Sequence, residues 1–287
     1  VLSALPFFKP TPEKLVRQLK DLPPAPKVLH RIQKLVRQED CSLEMISELI
    51  CLEPGLAGRV VHMSNSTKFG GASRVSDIME AIQRVGMRGV QEIVTYALAS
   101  QLVGQNLNAY NLDANSLWFR AIACGLAASS LAEKNGSDQT EAYTAGLLHG
   151  VGLLAFDRHV TQSKSNRRFP SKGYPLDFSE AEHEYLGFTH ADTGAALLDL
   201  WGFSKPIINA VKFQMEPEKA TEDRQLCMTL ATARWARSLF CVPDEKIPEL
   251  PNEAWMKEAG VQIDDFGKWL GSIRQGYNMA KLELRLG

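Results

Sequence analysis

The sequence predicts an all-α protein, a compact multi-helix fold of two packed helical halves, and three observations carry that prediction. Apolar residues recur at spacings of three and four along nearly the whole chain, while strict alternation of apolar and polar residues is almost absent. Residues with a side-chain oxygen, or prolines, stand where the periodic segments begin. Glycines stand where several of them end.

The elements follow in order. Thr11-Pro12 opens a first segment inside a lead-in over residues 1–21, and Pro26 opens the next. Ser42 precedes Leu43, Ile46, Leu49 and Ile50, which share one helical face. Pro54 starts a further helix; Ser76 starts another whose apolar face is Ile78, Ile82 and Val85, and Gly86 stops it. A longer helix begins near Asp113 and runs through Lys134 to Gly136. Thr140, Thr189 and Ser204 mark later starts, and Gly202 a stop. The physical reason is common to all of these. The first amides of a helix lack carbonyl partners, so an oxygen acceptor or an amide-free proline suits them, and glycine reaches the left-handed conformation that ends a helix. Near the C-terminus, Phe266, Leu270, Ile273, Tyr277, Ala280 and Leu284 make one stripe, expected to dock on the second half.

The domain reading is a lead-in over 1–21, a main unit over 22–240 with halves 22–111 and 112–240, and C-terminal helices over 241–287 packed on the second half. The polar stretch "GQNLNAYNLDAN" at 104–115 is the seam. It is too short for a free linker, so the halves are expected to pack as one unit.

Composition narrows the function classes. Of 287 residues, 45% are hydrophobic and 23% charged, ordinary for a globular chain. Lys plus Arg number 32 against 33 Asp plus Glu, so the net charge of −1 gives no basic footprint for DNA or for an anionic membrane surface. Five cysteines without a CxxC pair, and nothing like a secretory signal, point to a reduced, cytoplasmic protein. The longest uncharged stretch, Ile93 to Leu112, contains Gln101, Gln105, Asn106, Asn108 and Asn111, too many amides for hydrocarbon. The chain opens on Val1, which leads us to expect a piece of a longer protein. The loop 159–178 carries Lys164, Arg167, Arg168 and Lys172; it reads as a solvated surface loop in preference to a phosphate-binding patch.

Chemical motifs are scarce. The six histidines, His30, His62, His149, His159, His183 and His190, form no HxxxH or HExxH pair. There is no GxSxG elbow, no GxxxxGK[ST] loop and no Cys-His cluster. His183 and His190 are separated by Gly187-Phe188-Thr189, which reads as a helix break and restart. His149 lies in the uncharged run "AYTAGLLHGVGLLAF" at 142–156. Taken as one helix, the run places it on the side of Ala142, Ala145, Gly146, Gly152, Leu153 and Phe156. These small residues invite close helix approach, and His149 reads as a buried histidine bonded to a neighbour.

Several segments together resemble the HD-related output domain, HDOD, a helical relative of the HD metal-dependent phosphohydrolases found in bacterial signalling proteins. They are "LPPAPKVLHRIQKLV" (22–36), "SLEMISELICLEPGLAGRVVHMSNSTKFG" (42–70), "VSDIMEAIQRVGMRGVQEIV" (75–94), "LWFRAIACGLAASSLA" (117–132), "AYTAGLLHGVGLLAF" (142–156) and "EHEYLGFTHADTGAALLDLWGFSKPIINAVKFQMEP" (182–217). In catalytic HD enzymes a His-Asp pair binds metal, with an earlier histidine and a later aspartate. Here the resemblance puts His149-Gly150 at the pair, Arg120 with Trp118, Phe119 and Ala121 near the earlier position, no histidine in "KFQMEP" (212–217), and no aspartate in "LATARWA" (230–236).

The resemblance therefore implies a degenerate site in which His149 and His190 survive, with no catalytic residue, metal or cofactor. It implies a non-enzymatic regulatory or protein-interaction module of bacterial signal transduction whose partner is a protein or a fused signalling domain, with no DNA and no membrane. Two alternatives stay open: an HD-type metal-dependent phosphohydrolase or phosphodiesterase, and a small-molecule or nucleotide-sensing pocket in the old site. The candidate remnant-site or pocket residues are His149, Gly150, His190, Arg120, Glu184 and Asn65.

Overall fold

Helices account for all the regular structure of the described residues, and the backbone pairs in β-fashion only at two isolated bridges, Leu107 with Leu112 and Lys172 with Asp177. The computed structural model describes residues 9–19, 31–32, 35, 41–52, 54–66, 74–103, 105–172, 177–241, 253–262 and 265–285. The start expected at Pro26 lies outside them.

The first half supplies α1 (Pro12–Gln18), α2 (Leu43–Cys51), α3 (Pro54–Ser64) and α4 (Ile78–Val103). Thr11 and Ser42 cap α1 and α2 through side-chain oxygens that accept from Lys14 N and Met45 N. The α4 cap is Asp77, not Ser76: its Oδ1 accepts from the amides of Met79 and Glu80 at 2.8 and 3.1 Å. Gly86 breaks α4 internally, with φ 69° and ψ 172°, so the expected stop is a sharp kink between two helical stretches.

The second half supplies α5 (Ala114–Asn135), α6 (Gln139–Leu148), α7 (Val151–Gln162), α8 (Ser179–Leu186), α9 (His190–Leu200), α10 (Lys205–Lys212) and α11 (Arg224–Cys241). Asp113 and Asp138 cap α5 and α6, Asp138 taking the role expected of Thr140. Gly136 closes α5 at φ 76°, Gly187 closes α8 at φ 86°, and Thr189 with Asp192 forms a capping box that restarts the chain as α9.

The run 142–156 is not one helix. It turns at His149-Gly150, with His149 ending α6 and Gly150 preceding α7. The small residues on either side of the turn serve different partners. A Cβ on Gly146 would lie 2.6 Å from Gly125 Cα, so α6 and α5 meet backbone to backbone; a Cβ on Gly152 would lie 1.8 Å from the carbonyl oxygen of His190, so α7 rests on the first turn of α9.

Within the seam, Asn108–Tyr110 form a 3-10 turn that is pinned to the second half. Asp157 Oδ1 accepts from Ala109 N at 2.7 Å, and the Ala109 carbonyl accepts from Phe169 N at 2.8 Å. Buried residues from both halves belong to one contiguous apolar cluster, from Ile46 and Ile82 to Phe156 and Leu230. The lead-in joins it: Leu15 and Val16 of α1 are buried, and α1 packs on α9. The C-terminal α12 (Glu253–Glu258) and α13 (Phe266–Arg285) pack on α11 and α5. Phe266 contacts Trp235 and Trp269, and Tyr277 meets Phe119 edge-on. Trp269 belongs to this buried surface although the expected stripe omitted it, while the Ala280 and Leu284 side chains fall outside the described residues. No described helix is long and apolar enough to cross a membrane.

Candidate functional site

The turn between α6 and α7 places His149 at the base of a small cavity of about 20 Å³, room for one water-sized guest. Arg120 from α5, His149 and Gly150 from the turn, His190 from α9 and Arg237 from α11 converge on it, with Leu112, Leu117, Leu153 and Phe178 as apolar walls. Four of the six residues singled out from the sequence are thus brought together.

His149 is 4% exposed and fully engaged. Arg237 donates through Nη1 to its Nε2. A guanidinium is always a donor, so Nε2 accepts and the ring proton sits on Nδ1, which donates to the Gly146 carbonyl at 2.6 Å. Burial, then the charges of Arg237 and Arg234, push the pKa of His149 well below that of an ordinary histidine and keep it neutral. The His149 carbonyl accepts from Gln214 Nε2 at 3.0 Å, and the Gln214 carbonyl accepts from Arg234 Nη1 at 2.7 Å. The turn is therefore bolted to α11 through both side chain and backbone.

His190 is held differently. Glu182, with no exposed surface, accepts from His190 N at 2.8 Å, from His190 Nδ1 at 2.9 and 3.0 Å, and from the Tyr110 hydroxyl at 2.7 Å. A carboxylate on Nδ1 fixes the ring and turns Nε2 toward the cavity.

The two remaining expected residues lie elsewhere. Glu184 is on the opposite side of α8 from Glu182, its side chain 67% exposed, paired with Arg167 and facing a separate surface cleft that it shares with Asp192 and Glu216. Asn65 braces the first half: its side chain donates to the Val61 and Val75 carbonyls at 2.9 and 2.8 Å and accepts from Val75 N at 2.8 Å. Sequence reasoning missed Glu182 and Arg237. Arg237 did carry a signal, since Arg234 and Arg237 are the only charges between Leu226 and Cys241. A charge three residues from another in a buried helix needs a polar partner inside the fold. The loop expected at 159–178 begins only after α7 ends at Gln162; in it Arg167 pairs with Glu184, Lys172 with Glu180, and Arg168 donates to the Asn108 carbonyl, so these charges secure it.

The model matching this chain is that of the HDOD domain, over residues 22–217. The chain belongs to the HDOD family. An uncharacterized protein of Treponema pallidum (strain Nichols) is 29% identical over 243 residues, which is 80% of this chain and 45% of the relative, so the chain spans less than half of that protein's length. Among solved structures, an HDOD domain protein of unknown function from Geobacter sulfurreducens superposes with a TM-score of 0.69 at 19% identity, covering 93% of this chain and 97% of that one. A provisionally assigned phosphohydrolase from Shewanella amazonensis SB2B gives 0.66 at 24% identity, with 93% and 97% coverage. A provisionally assigned signal transduction protein from Marinobacter aquaeolei VT8 gives 0.69 at 21% identity, with 94% and 63% coverage. These structures share the all-α HDOD fold.

An HD-type metal does not fit the residues of this HDOD domain. A divalent ion needs three or more convergent donors, and no such group of His, Cys, Asp or Glu occurs among the described residues. The Nε2 lone pair of His149 already accepts from Arg237, and Arg120 lines the same cavity. Like charges at this range repel a cation in a medium where the interaction is weakly screened. The cavity's volume, about 20 Å³, is far below that of a pocket that buries a nucleotide-sized ligand.

Proposed function

We propose that this HDOD domain is a non-enzymatic regulatory or protein-interaction module of bacterial signal transduction, with a protein or fused signalling domain as partner. The single observation that carries this reading is the donation from Arg237 to His149 Nε2, which occupies with an organic cation the lone pair that the family resemblance aligns with a metal-binding histidine. A guanidinium brings charge but no exchangeable water, so it does not generate the hydroxide nucleophile on which metal-dependent phosphoester hydrolysis depends. The near-neutral balance, 32 basic against 33 acidic residues, supports recognition of a protein surface over nucleic acid.

The test is elemental analysis and phosphodiester hydrolysis on the purified chain, incubated with manganese, iron, zinc or magnesium and then desalted. The expected result is no stoichiometric metal and no turnover above buffer. Turnover that requires metal and disappears in His149→Ala and His190→Ala would overturn the reading and establish an HD-type hydrolase.

A further inference from the structure

We infer that the cleft bounded by α4, α5, α6 and α13 is a binding site for a small organic cation, an ammonium or guanidinium group on a short aliphatic stem. The cleft shares no lining residue with the His149 cavity, so this inference goes beyond the reading of that cavity.

The cleft has a volume of about 520 Å³, within the range of pockets that hold small molecules. Leu126, Ser129, Ser130 and Glu133 recur at three and four along α5, so one face of that helix lines it. Its hydrogen-bonding capacity is not used up within the fold. Tyr143 of α6 is 7% exposed, yet its hydroxyl has no hydrogen-bond partner among the described residues. A phenol this far inside a fold ordinarily finds an acceptor or donor in the protein; this one opens on the cleft instead. The hydroxyls of Ser129 and Ser130 are likewise without a partner among the described residues.

Charge decides which ligand suits these groups. Glu92 and Glu133 against Arg88 leave the lining one negative charge in excess. Arg88 already pairs with Glu92 at 3.3 Å and donates to Gln139 Oε1, so its charge is directed into the fold. Glu133 has no ionic partner among the described residues. The negative field reaches the base of the cleft: burial, then the charge of Glu92, push the pKa of Tyr143 up and keep its hydroxyl neutral, with an oxygen able to accept. An ammonium group presents three N–H donors, which a carboxylate and neighbouring hydroxyl oxygens satisfy. Leu126 and Ile273 supply apolar surface for the stem. An anionic ligand would instead meet the excess negative charge.

The experiment is isothermal titration calorimetry of the purified chain with n-butylammonium, agmatine, butyrate and n-butanol at equal ionic strength. The two cations should bind saturably at one site, while butyrate and n-butanol should not. Glu133→Gln, on an exposed residue, and Tyr143→Phe, which keeps the ring, should each weaken the cations about tenfold, the loss expected for one hydrogen bond to a charged group. Nuclear magnetic resonance of the wild-type chain needs no variant to fold: n-butylammonium should shift the amides of Ser129, Ser130 and Tyr143 and leave those of His149 and His190 in place. Equal binding of n-butanol and n-butylammonium, a preference for butyrate, no saturable binding of either cation, unchanged affinity in Glu133→Gln, or amide shifts outside the cleft would overturn the inference. Each of these outcomes is independent of the metal and turnover measurements that test the proposed function.

Discussion

The Arg237 guanidinium reaches across 88 residues of sequence to donate to the ring of His149, and it fixes which nitrogen of that ring carries the proton. His149 is thereby a neutral acceptor on one side and a donor on the other, with no lone pair left for a metal.

This pairing sets a pH dependence. The unfolded histidine has an ordinary pKa of about 6.5, whereas burial and the arginines depress the folded one far below it. Between the two values the unfolded chain binds one more proton, so the contribution of His149 to stability is present above about pH 6.5 and is lost as the pH falls toward the folded pKa. Wild type should lose up to about 1.4 kcal/mol per pH unit more than His149→Gln between pH 6 and pH 5. Urea denaturation at each pH measures this, and parallel curves for the two proteins would contradict it.

Glu182 and Glu184 should behave as opposites. Glu182→Ala leaves the His190 amide, its ring and the Tyr110 hydroxyl without their acceptor in the core, and should cost about 3 kcal/mol or more. Glu184→Ala removes an exposed pair with Arg167 and should cost less than about 0.5 kcal/mol. Chemical denaturation of the two variants decides it, and similar losses would contradict the placement of these side chains.

Glycines divide in the same way. Gly152→Ala would drive a methyl group into the His190 carbonyl, backbone against backbone, and should destabilise by about 3 kcal/mol or prevent folding. Gly58→Ala, on α3 with nothing within 4 Å of the new methyl, should stabilise by about 0.5–1 kcal/mol. Thermal midpoints moving in the same direction for both would refute the packing argument.

Gly150→Asp should fold. Its backbone, φ −96° and ψ 4°, accepts any residue, and a new Cβ meets only Leu153 and Leu117 side-chain carbons at 3.8 and 3.9 Å. The close approach expected of the small residues in this run is made at Gly146 and Gly152. The added carboxylate faces Arg120 and Arg237, so it should recover neither metal nor phosphodiester hydrolysis, as elemental analysis and turnover assays would show.

Much of the fold was legible because its punctuation is local. Thr11, Ser42 and Thr189 start helices, and Gly86, Gly136 and Gly202 take positive φ, through interactions within a few residues. Where two oxygen-bearing residues competed, as at Asp77 and Ser76 or Asp138 and Thr140, the carboxylate took the cap, and spacing alone does not rank them. The site was legible in part. His149, His190 and Arg120 were found by resemblance, but Glu182 and Glu184 are two residues apart on one helix, where a shift of two turns the side chain to the far face. Arg237 lies 88 residues from the ring it touches, a distance only tertiary packing closes.

The docking of α1 has a mechanical consequence. Leu15 and Val16 are buried where the amino-terminal helix packs on the helix that begins at His190. A pull or twist applied to the chain ahead of Pro12 is shared by α8, whose Glu184 carbonyl accepts from Lys9 Nζ, and by α9, whose first residue is clamped by Glu182 at one wall of the cavity. The lead-in is a handle whose load path ends at the polar centre of the domain.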